Sequence, residues 1–395
     1  MTQRPRVLLA ATHPIQYQVP LFQALAREPV IDFSVLFMQL PDAAQQGEGF
    51  GVAFTWDIPM LEGYRWQAVP DLGGRGGLRD FFATRIRRPV ALLRSLRPDV
   101  LVLTGWQAWP LVQLLLAAWW LRVPVVMRGE SNALRQRPWP ARVLHRALLA
   151  RCKAFLTIGR GNEAFYRGYG VASQRLFRAP YYVDNDRFAA AALALEPERQ
   201  AQRQRWQVPD GAVCLLYAGK LEPKKRIFDL LDALRQVVQA GGPAVHLLVV
   251  GTGELMDAAR ARVAEHRLPV SFAGFLNQTE MPAAYVAADC LVLPSDYGET
   301  WGLVVVNEAM ACGKPALVSD RVGCGPDLIT PGETGAVFPF GDVPAMAAQI
   351  TALATNPPAL ARMGQLARER VMGGFSVRRA VGGVMDAVRF ATARS

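Results

Sequence analysis

Short apolar segments alternate with helical patterns along most of this chain, and this alternation restricts the possible fold more than any other feature. In the first half, strand-like segments lie at 6–12, 31–38, 99–105, 123–128 and 154–159, and helical patterns lie at 19–27, 80–97, 107–121 and 139–151. Segments that are apolar on both faces are typical of buried parallel strands. The first half therefore predicts an α/β fold with a doubly wound parallel sheet.

The alternation stops at 180–210 and then begins again, which predicts a second domain of the same class. The second set has strands at 213–220, 244–253, 270–275, 290–295 and 315–320, and helices at 227–240, 254–266, 279–288 and 303–312. We expect two Rossmann-like domains facing a cleft, over residues 1–185 and 186–375. A C-terminal helix within 376–395 has no strand after it and is expected to cross back to the first domain.

The net charge and the cysteine pattern indicate which partners and which cellular compartment suit the protein. The chain carries 44 Lys+Arg against 33 Asp+Glu, a net charge of +11 that favours nucleic acid, a membrane surface or a phosphorylated ligand as partner. Its five cysteines form no CxxC pair, which argues against a disulfide framework and for a reducing compartment. The N-terminus indicates a first strand instead of a signal peptide, and polar residues and prolines interrupt the apolar segment 101–127. We therefore expect a cytoplasmic protein without a membrane span.

The stretch SDYGETWGLVVVNEAMACGKP places two carboxylates around an apolar run. A buried carboxylate needs hydrogen-bond donors, and Glu299 and Glu308 would find them in the hydroxyls of a sugar or a ribose. A helix that begins near Leu303 would present the N–H groups of Trp301, Gly302 and Leu303 to an anion. The alternative is that both acids lie on a solvated loop and helix face.

Other strand ends of the second domain carry residues suited to a nucleotide. Lys220 ends a strand in YAGKLEPKKR, and Lys225 precedes the next helix, so that two ammonium groups suit a diphosphate. Gly253 in VVGTGEL permits close backbone approach, and Phe275 in FAGFLNQTEM offers a ring that can frame a base. Each motif alone is also explained by an ordinary basic loop or a strand–helix turn.

As an ordered set, GKLEPKK, GTGEL, ETWGLVVVNEAMACGKP and SDRVGCGPDLI resemble the second domain of family-4 glycosyltransferases, which have the GT-B fold. The resemblance implies a retaining enzyme whose donor substrate is a nucleotide-diphosphate sugar. It implies that Lys220 and Lys225 bind the donor diphosphate, Glu299 the donor sugar and Glu308 the ribose. The family's two glutamates are usually separated by seven residues, whereas eight separate them here. One residue must therefore be absorbed in the helix or in the turn before it.

The first domain resembles the family less closely. His13 follows the first strand, and Arg128 and Glu130 follow the strand at 123–128, so that His13 and Glu130 join Glu299 as candidate catalytic residues. An ordinary polar loop would explain Glu130 equally well. The expected acceptor is a hydroxyl, in an envelope polysaccharide, a glycolipid, a lipid-linked sugar or a small molecule. Nucleic acid is not expected as a partner, because the chain has no RNP-type motif.

Association with the inner face of a membrane is one interpretation of the basic helix at 80–97. Its apolar stripe consists of Phe82, Ile86, Val90, Leu93 and Leu96. Such a stripe beside arginines suits an anionic lipid surface. The alternative is that the stripe simply packs on the sheet.

A metal is not expected, although Asp184-Asn185-Asp186 matches a DxD metal-binding pattern. This segment lies at the domain boundary, where it is suited to cap or brace a turn. Lys220 and Lys225 already supply positive charge for a diphosphate, so no cofactor is required. Two other functions stay open: another GT-B nucleotide-sugar enzyme, such as an epimerase or hydrolase, and a non-catalytic basic protein that binds RNA or membrane.

Overall fold

The structure, a computed structural model, describes residues 4–75, 80–135, 137–296, 299–302 and 304–393. It divides into two compact units. The first contains Met1–Gln46, Pro59–Tyr181 and Val377–Ser395, and the second contains Gly47–Ile58 and Tyr182–Ser376. Residues 47–58 thus belong to the second unit, although the sequence placed all of 1–185 in one domain.

The first unit is built on a parallel sheet, as the alternation of elements predicts. Its strands are β1 (Arg6–Ala11), β2 (Asp32–Phe37), β3 (Trp66–Ala68), β4 (Leu72–Gly74), β5 (Thr84–Ile86), β6 (Val100–Leu103), β7 (Val125–Met127), β8 (Ala154–Thr157) and β9 (Leu176–Arg178). In the described part of the chain, seven strands form the sheet in the order β3-β2-β1-β6-β7-β8-β9, and β4 pairs with β5 as an antiparallel ribbon. The central strands are buried on both faces, which explains their continuous apolar sequences.

The helices of the first unit connect these strands. They are α1 (Val19–Ala26), α2 (Ala43–Gly47), α3 (Pro89–Leu96), α4 (Trp109–Leu121), α5 (Trp139–Leu149) and α6 (Arg160–Gly168). The predicted helix at 80–97 is wrong in its first part, because that part contains β5. Helix α3 begins only at Pro89, since proline has no N–H to leave unpaired in a first turn. The apolar segment 101–127 folds as strand, helix and strand, and no helix of the described residues is long and apolar enough to cross a membrane.

The second unit repeats this plan with a second parallel sheet. Its strands are β10 (Val213–Ala218), β11 (Val245–Val250), β12 (Val270–Gly274), β13 (Cys290–Leu293), β14 (Ala316–Ser319) and β15 (Gly335–Phe338). Its helices are α7 (Asn185–Leu195), α8 (Arg199–Arg205), α9 (Ile227–Gln239), α10 (Met256–His266), α11 (Met281–Ala287), α12 (Val305–Ala311), α13 (Gly325–Leu328), α14 (Val343–Thr355) and α15 (Pro357–Gly374). Within the described residues the strand order is β12-β11-β10-β13-β14-β15. The predicted α/β fold with two doubly wound sheets is confirmed.

The last helix, α16 (Val377–Thr392), belongs to the first unit, where it packs against α1, β8 and β9. Its small residues allow this close contact. A Cβ atom at Gly383 would lie 2.1 Å from the carbonyl oxygen of Arg178, whereas a Cβ at Gly382 would meet nothing within 4 Å. One face of α16 is therefore fitted closely to the end of β9.

Candidate functional site

Several predicted site residues meet at the carboxyl edge of the second sheet. The strand order reverses between β10 and β13, and in open α/β sheets ligands bind outside the carboxyl ends of strands at such a reversal. Lys220 follows β10, and the loop that carries Glu299 follows β13. The two segments are joined by a hydrogen bond from the Asp296 backbone N–H to the Lys224 carbonyl, at 3.0 Å. The sheet topology thus brings together residues that are 72 positions apart, Lys224 and Asp296.

Lys225 and Glu299 form a buried ion pair at this edge. The Lys225 Nζ lies 2.8 Å from the Glu299 Oε1, and both side chains are 0% exposed. Lys224, at 3.8 Å from the same oxygen, is a more distant and partly exposed cation. Burial lowers the pKa of Lys225, and the neighbouring Glu299 carboxylate opposes this shift. The two groups predicted to contact different parts of a donor therefore contact each other in this structure.

The turn before α12 has a distorted backbone at the place where the sequence predicts that one additional residue is absorbed. Val304 has a φ of +64°, the left-handed conformation, and the helix begins at Val305 instead of near residue 303. A β-branched residue rarely adopts this conformation, so the turn is an outlier that the surrounding structure must hold. The predicted donor contact Leu303 lies outside the described residues.

Trp301 and Gly302 lie before α12 and are buried. The Trp301 indole Nε1–H donates to the Asn307 Oδ1 at 2.8 Å, which joins the turn to the helix. A Cβ at Gly302 would lie 2.8 Å from the Cys324 Sγ, so a larger residue there would have to displace the Cys324 side chain. The structure thus gives both residues a part in shaping the turn. Because α12 begins at Val305, two residues later than expected, the presentation of their N–H groups to an anion stays a prediction.

Glu308 lies in the first turn of α12 with its carboxylate held by two other elements. It is 2% exposed, and its Oε2 accepts a 2.7 Å hydrogen bond from the Tyr285 hydroxyl. Its Oε1 faces the Gln278 Nε2 at 3.5 Å, and the Arg187 guanidinium donates to the Gln278 Oε1 at 2.7 Å. Burial raises the pKa of Glu308, while the Tyr285 hydrogen bond and the charge of Arg187 oppose the rise. These partners lie 23 to 121 positions away, so that no local sequence signal identifies them.

Lys220 and Phe275 contact the segment 47–58. The Lys220 Nζ donates to the Glu48 carbonyl at 2.8 Å and lies 4.6 Å from the centre of the Phe50 ring. The Phe275 ring lies 5.2 Å from that of Phe50. The Lys220 ammonium group and the Phe275 ring, both predicted to bind a nucleotide, therefore share a contact with the Phe50 ring.

The sequence predicts that Gly253 permits close backbone approach, and in the structure the backbone of Leu221 lies close to it. It has a φ of +155°, and a Cβ there would lie 2.6 Å from the Leu221 carbonyl oxygen. The glycine lets the turn after β11 lie against the residue that follows Lys220. This packing requires glycine whether or not a ligand is present.

In the first unit, His13 and Glu130 lie at the carboxyl ends of β1 and β7. Burial lowers the pKa of His13 from its ordinary 6.5 to about 4, so the imidazole is neutral at pH 7, and its Nδ1 lies 3.0 Å from the Thr12 hydroxyl. Glu130 accepts a 3.0 Å hydrogen bond from the Tyr17 hydroxyl, and its Oε1 lies 3.3 Å from an Arg128 nitrogen. The sequence identified Glu130 and Arg128 together, and the structure adds Tyr17 as a third member of that group.

The Asp-Asn-Asp segment supports the fold. The Asp184 side chain accepts from the Arg187 backbone N–H at 3.1 Å and caps α7, and Asn185 donates to the carbonyls of Val371 and Phe375. The capping expected from the sequence is therefore present. Among the described residues, no group of three or more His, Cys, Asp or Glu side chains is arranged to hold a metal ion.

Comparison with known proteins identifies both halves of the chain. Residues 16–181 match a family model described as glycosyl transferase 4-like domain, and residues 198–370 match one described as glycosyl transferases group 1. These two matches fall on the first and second units in turn, and together they cover most of the chain.

Individual relatives are more distant and match only in part. A glycogen synthase of Mycobacterium tuberculosis is 35% identical over 167 residues, which are 42% of this chain and 39% of that protein. A Corynebacterium glutamicum protein named GDP-mannose-dependent monoacylated alpha-(1-6)-phosphatidylinositol monomannoside mannosyltransferase is 29% identical over 202 residues, 50% of this chain and 51% of that one. The chain thus spans about two fifths to one half of the length of these relatives.

A solved structure extends the likeness to the whole fold. Anabaena Alr3699/HepE, crystallised in complex with UDP, superimposes with a TM-score of 0.73 over 97% of this chain and 99% of that one, at 16% identity. At this identity the likeness concerns the fold alone. Together with the two family models, it shows that the chain belongs to the family-4 glycosyltransferases of the GT-B fold.

Proposed function

We propose that this protein is a retaining glycosyltransferase that moves a sugar from a nucleotide-diphosphate sugar to a hydroxyl acceptor. The observation that carries the proposal is that Lys220 and Phe275, which follow β10 and β12 at the carboxyl edge of the second sheet, both contact Phe50, while Glu308 faces Gln278, three residues beyond Phe275. A cation, an aromatic ring and a buried carboxylate are the groups that a diphosphate, a base and a ribose require. In support, one relative is named for a GDP-mannose donor, and HepE was crystallised with UDP.

Each residue has a defined part in the proposed reaction. Lys220 neutralises charge on the diphosphate, and Glu308 accepts hydrogen bonds from the ribose hydroxyls. Glu299, fixed by Lys225, contacts the donor sugar. Glu130 and the neutral His13 are the candidate catalytic residues of the first unit. In a retaining reaction on one face of the sugar, the leaving diphosphate takes the acceptor's proton, so no protein base is required.

We further propose that transfer needs no divalent metal. Hard cations favour carboxylate oxygens, but the Asp184 carboxylate is already engaged in capping α7. Asp186 lies in the first turn of the same helix. We expect near-full activity in excess EDTA and only a mild effect of Asp186→Ala. Activity lost in EDTA and restored by Mg²⁺ or Mn²⁺ would overturn this part of the proposal.

A donor screen followed by product analysis tests the function. The protein is incubated with UDP-, GDP-, ADP- and TDP-sugars and a mixture of glycan and glycolipid acceptors, and release of the nucleoside diphosphate is measured. Proton NMR of the product then gives the anomeric configuration, which should be that of the donor. A product with the opposite configuration would contradict retention. An epimerised sugar or free sugar alone would favour the epimerase or hydrolase alternative. Absence of any reaction or binding would contradict the proposal that the protein is a nucleotide-sugar enzyme.

We propose an acceptor in a cell-envelope polysaccharide or glycolipid, with peripheral attachment of the protein to an anionic membrane. The Corynebacterium relative is named for a phosphatidylinositol mannoside, which supports a lipid acceptor by analogy only. In the apolar stripe predicted at 80–97, Ile86 and Leu93 are buried in the core of the first unit and do not face a membrane, whereas Phe82 is 69% exposed. The alternative, that this stripe packs on the sheet, is correct for Ile86 and Leu93.

Helices α4 and α5 offer a better surface for attachment. Trp119 and Trp120 at the end of α4 are 55% and 71% exposed, and Trp139 at the start of α5 is 76% exposed. Val143 and Leu144 extend the exposed apolar face of α5. Residues 100–162 contain nine Lys and Arg and a single acid, Glu130. Tryptophan beside basic residues is the composition that suits an anionic lipid–water interface.

Vesicle sedimentation tests the attachment. We expect binding to vesicles that contain phosphatidylglycerol, release by salt, and at least about tenfold weaker binding after Trp119→Ser with Trp120→Ser. Leu193→Ser, at an equally exposed apolar residue of α7 in the second unit, is the matched control and should bind like the parent. Equal binding to neutral and anionic vesicles, or an equal loss in the control, would contradict the proposed surface.

A further inference from the structure

Residues 47–58, called the strap below, leave the first unit and return to it, yet they pack in the second unit. Hydrogen bonds to two residues of the second unit, Thr279 and Asn277, hold the far end of the strap. The Asp57 carboxylate accepts from the Thr279 backbone N–H at 3.2 Å and from the Thr279 hydroxyl. The Asn277 side-chain amide donates to the Thr55 carbonyl at 2.8 Å. The strap is thus tied to the segment that follows β12.

Aromatic rings hold the middle of the strap. The Phe54 ring lies 4.4 Å from Phe275 and 5.6 Å from Phe50, and the Trp56 indole lies 4.9 Å from Phe54. Such ring pairs contribute about 0.5–1.5 kcal/mol each beyond the area that they bury. The ring of Phe275, which the sequence assigned to a nucleotide, is therefore covered by rings of the strap.

The near end of the strap contacts Lys220, the cation of the proposed donor site. Lys220 donates to the Glu48 carbonyl and lies over the Phe50 ring, at 2.8 Å and 4.6 Å. A carbonyl dipole and a ring are weaker partners for an ammonium group than a charged phosphate is. A diphosphate that reached Lys220 would therefore gain more from that cation than the strap does.

We propose that the strap is a displaceable wall of the donor site: the donor phosphate takes the place of the Glu48 carbonyl and the Phe50 ring at Lys220, and the strap moves off Phe275. This inference rests on the proposed function, because it takes Lys220 as a ligand of the donor phosphate. The strap and the donor then compete for the same groups. The apparent affinity for the donor is reduced by the fraction of molecules in which the strap is closed.

The proposal makes the tether at Asp57 a regulator of donor affinity. Asp57→Ala removes both contacts with Thr279 without touching Lys220 or Phe275. We expect this variant to bind UDP or GDP about three- to tenfold more tightly than the parent, the range that corresponds to a net loss of about one ordinary exposed hydrogen bond from the closed state. Asp257→Ala, which removes an exposed acid in the first turn of α10, is the matched control and should bind like the parent.

Two further measurements make the outcome decisive. Hydrogen exchange of the backbone amides of 47–58 in the parent protein should become faster when UDP or GDP is added to saturation, which requires no variant to fold. Unchanged or weaker nucleotide binding by Asp57→Ala, or slower exchange of these amides, would overturn the proposal that the donor displaces the strap. Lys220→Met separates this from the proposed function: if it binds nucleotide like the parent, or the parent binds none, the donor site itself is wrong.

Discussion

Breaking the buried pair of Lys225 and Glu299 should destabilise the protein far more than a surface contact would. Both side chains are fully buried and their charged atoms lie 2.8 Å apart. Glu299→Ala would leave the Lys225 ammonium in the interior without its closest counter-charge. Loss of one partner from such a pair typically costs about 3–5 kcal/mol, and we expect the free energy of unfolding to fall by this amount.

A double-mutant cycle gives the size of the interaction. Lys225→Met with Glu299→Leu replaces both charges by apolar groups of similar volume, which is often close to neutral in a packed interior. We expect the free energy of unfolding of the double variant to lie within about 2 kcal/mol of that of the parent, and well above those of the single variants Lys225→Met and Glu299→Leu that complete the cycle. Urea unfolding, followed by tryptophan fluorescence and circular dichroism, would measure each corner of the cycle, with separate transitions fitted if the two units unfold independently.

An exposed ion pair of similar length provides the control. The Arg389 NH1 lies 2.9 Å from an Asp386 oxygen, but both side chains are more than half exposed. Asp386→Ala should therefore change the free energy of unfolding by less than about 1 kcal/mol. If Glu299→Ala were equally mild, the carboxylate would be as well solvated as that of Asp386, and the description of a buried pair would be refuted. Because Lys225 variants are also expected to lose stability, any loss of donor binding in them should be compared with their free energy of unfolding.

Three further predictions follow from particular residues. Because burial lowers the pKa of His13 to about 4 from 6.5, the folded state binds fewer protons than the unfolded state between these values, so stability should fall as the pH decreases through that window; an NMR titration of the His13 ring with a midpoint near 6.5 would disagree. Gly383→Ala should destabilise α16 by about 1–3 kcal/mol through a clash with the Arg178 carbonyl, whereas Gly382→Ala should stabilise by up to about 1 kcal/mol; equal effects in thermal unfolding would contradict the packing of α16. Deleting Val304 should keep nucleotide affinity within about threefold of the parent, because it removes only the left-handed residue at the place where the extra position is expected to be absorbed; loss of binding, measured by calorimetry, would mean that the longer turn is needed.

The sequence predicts the two sheets well because most of their strands are short segments that are apolar on both faces. It fails where a short strand has no such pattern. Thr84–Ile86 alternates in burial as a ribbon strand, but it lies among arginines and before a proline, so that it looks like the start of a helix. The strap was equally hidden, since nothing local to 47–58 indicates that its rings pack on Phe275.

The candidate site shows the same division. Lys220 could be found because a lysine at the end of an apolar strand is a local feature. The hydrogen bond of Tyr285 to Glu308 and the pairing of Lys225 with Glu299 depend on contacts between distant segments. The extra residue could be counted from the sequence, but the left-handed conformation of Val304 depends on packing around the turn.

Nucleotide binding to a Lys220 variant tests the central claim most directly, because that claim places the donor diphosphate on Lys220 at the edge of the second sheet. Calorimetry would give the Kd of UDP, GDP, ADP and TDP for the parent, for Lys220→Met, and for Lys153→Met as a control in the first unit. We predict that the parent binds at least one of the four and that Lys220→Met weakens that binding at least about tenfold, or 1.4 kcal/mol, while Lys153→Met does not. Equal Kd values for the parent and Lys220→Met, or no binding by the parent, would contradict the claim.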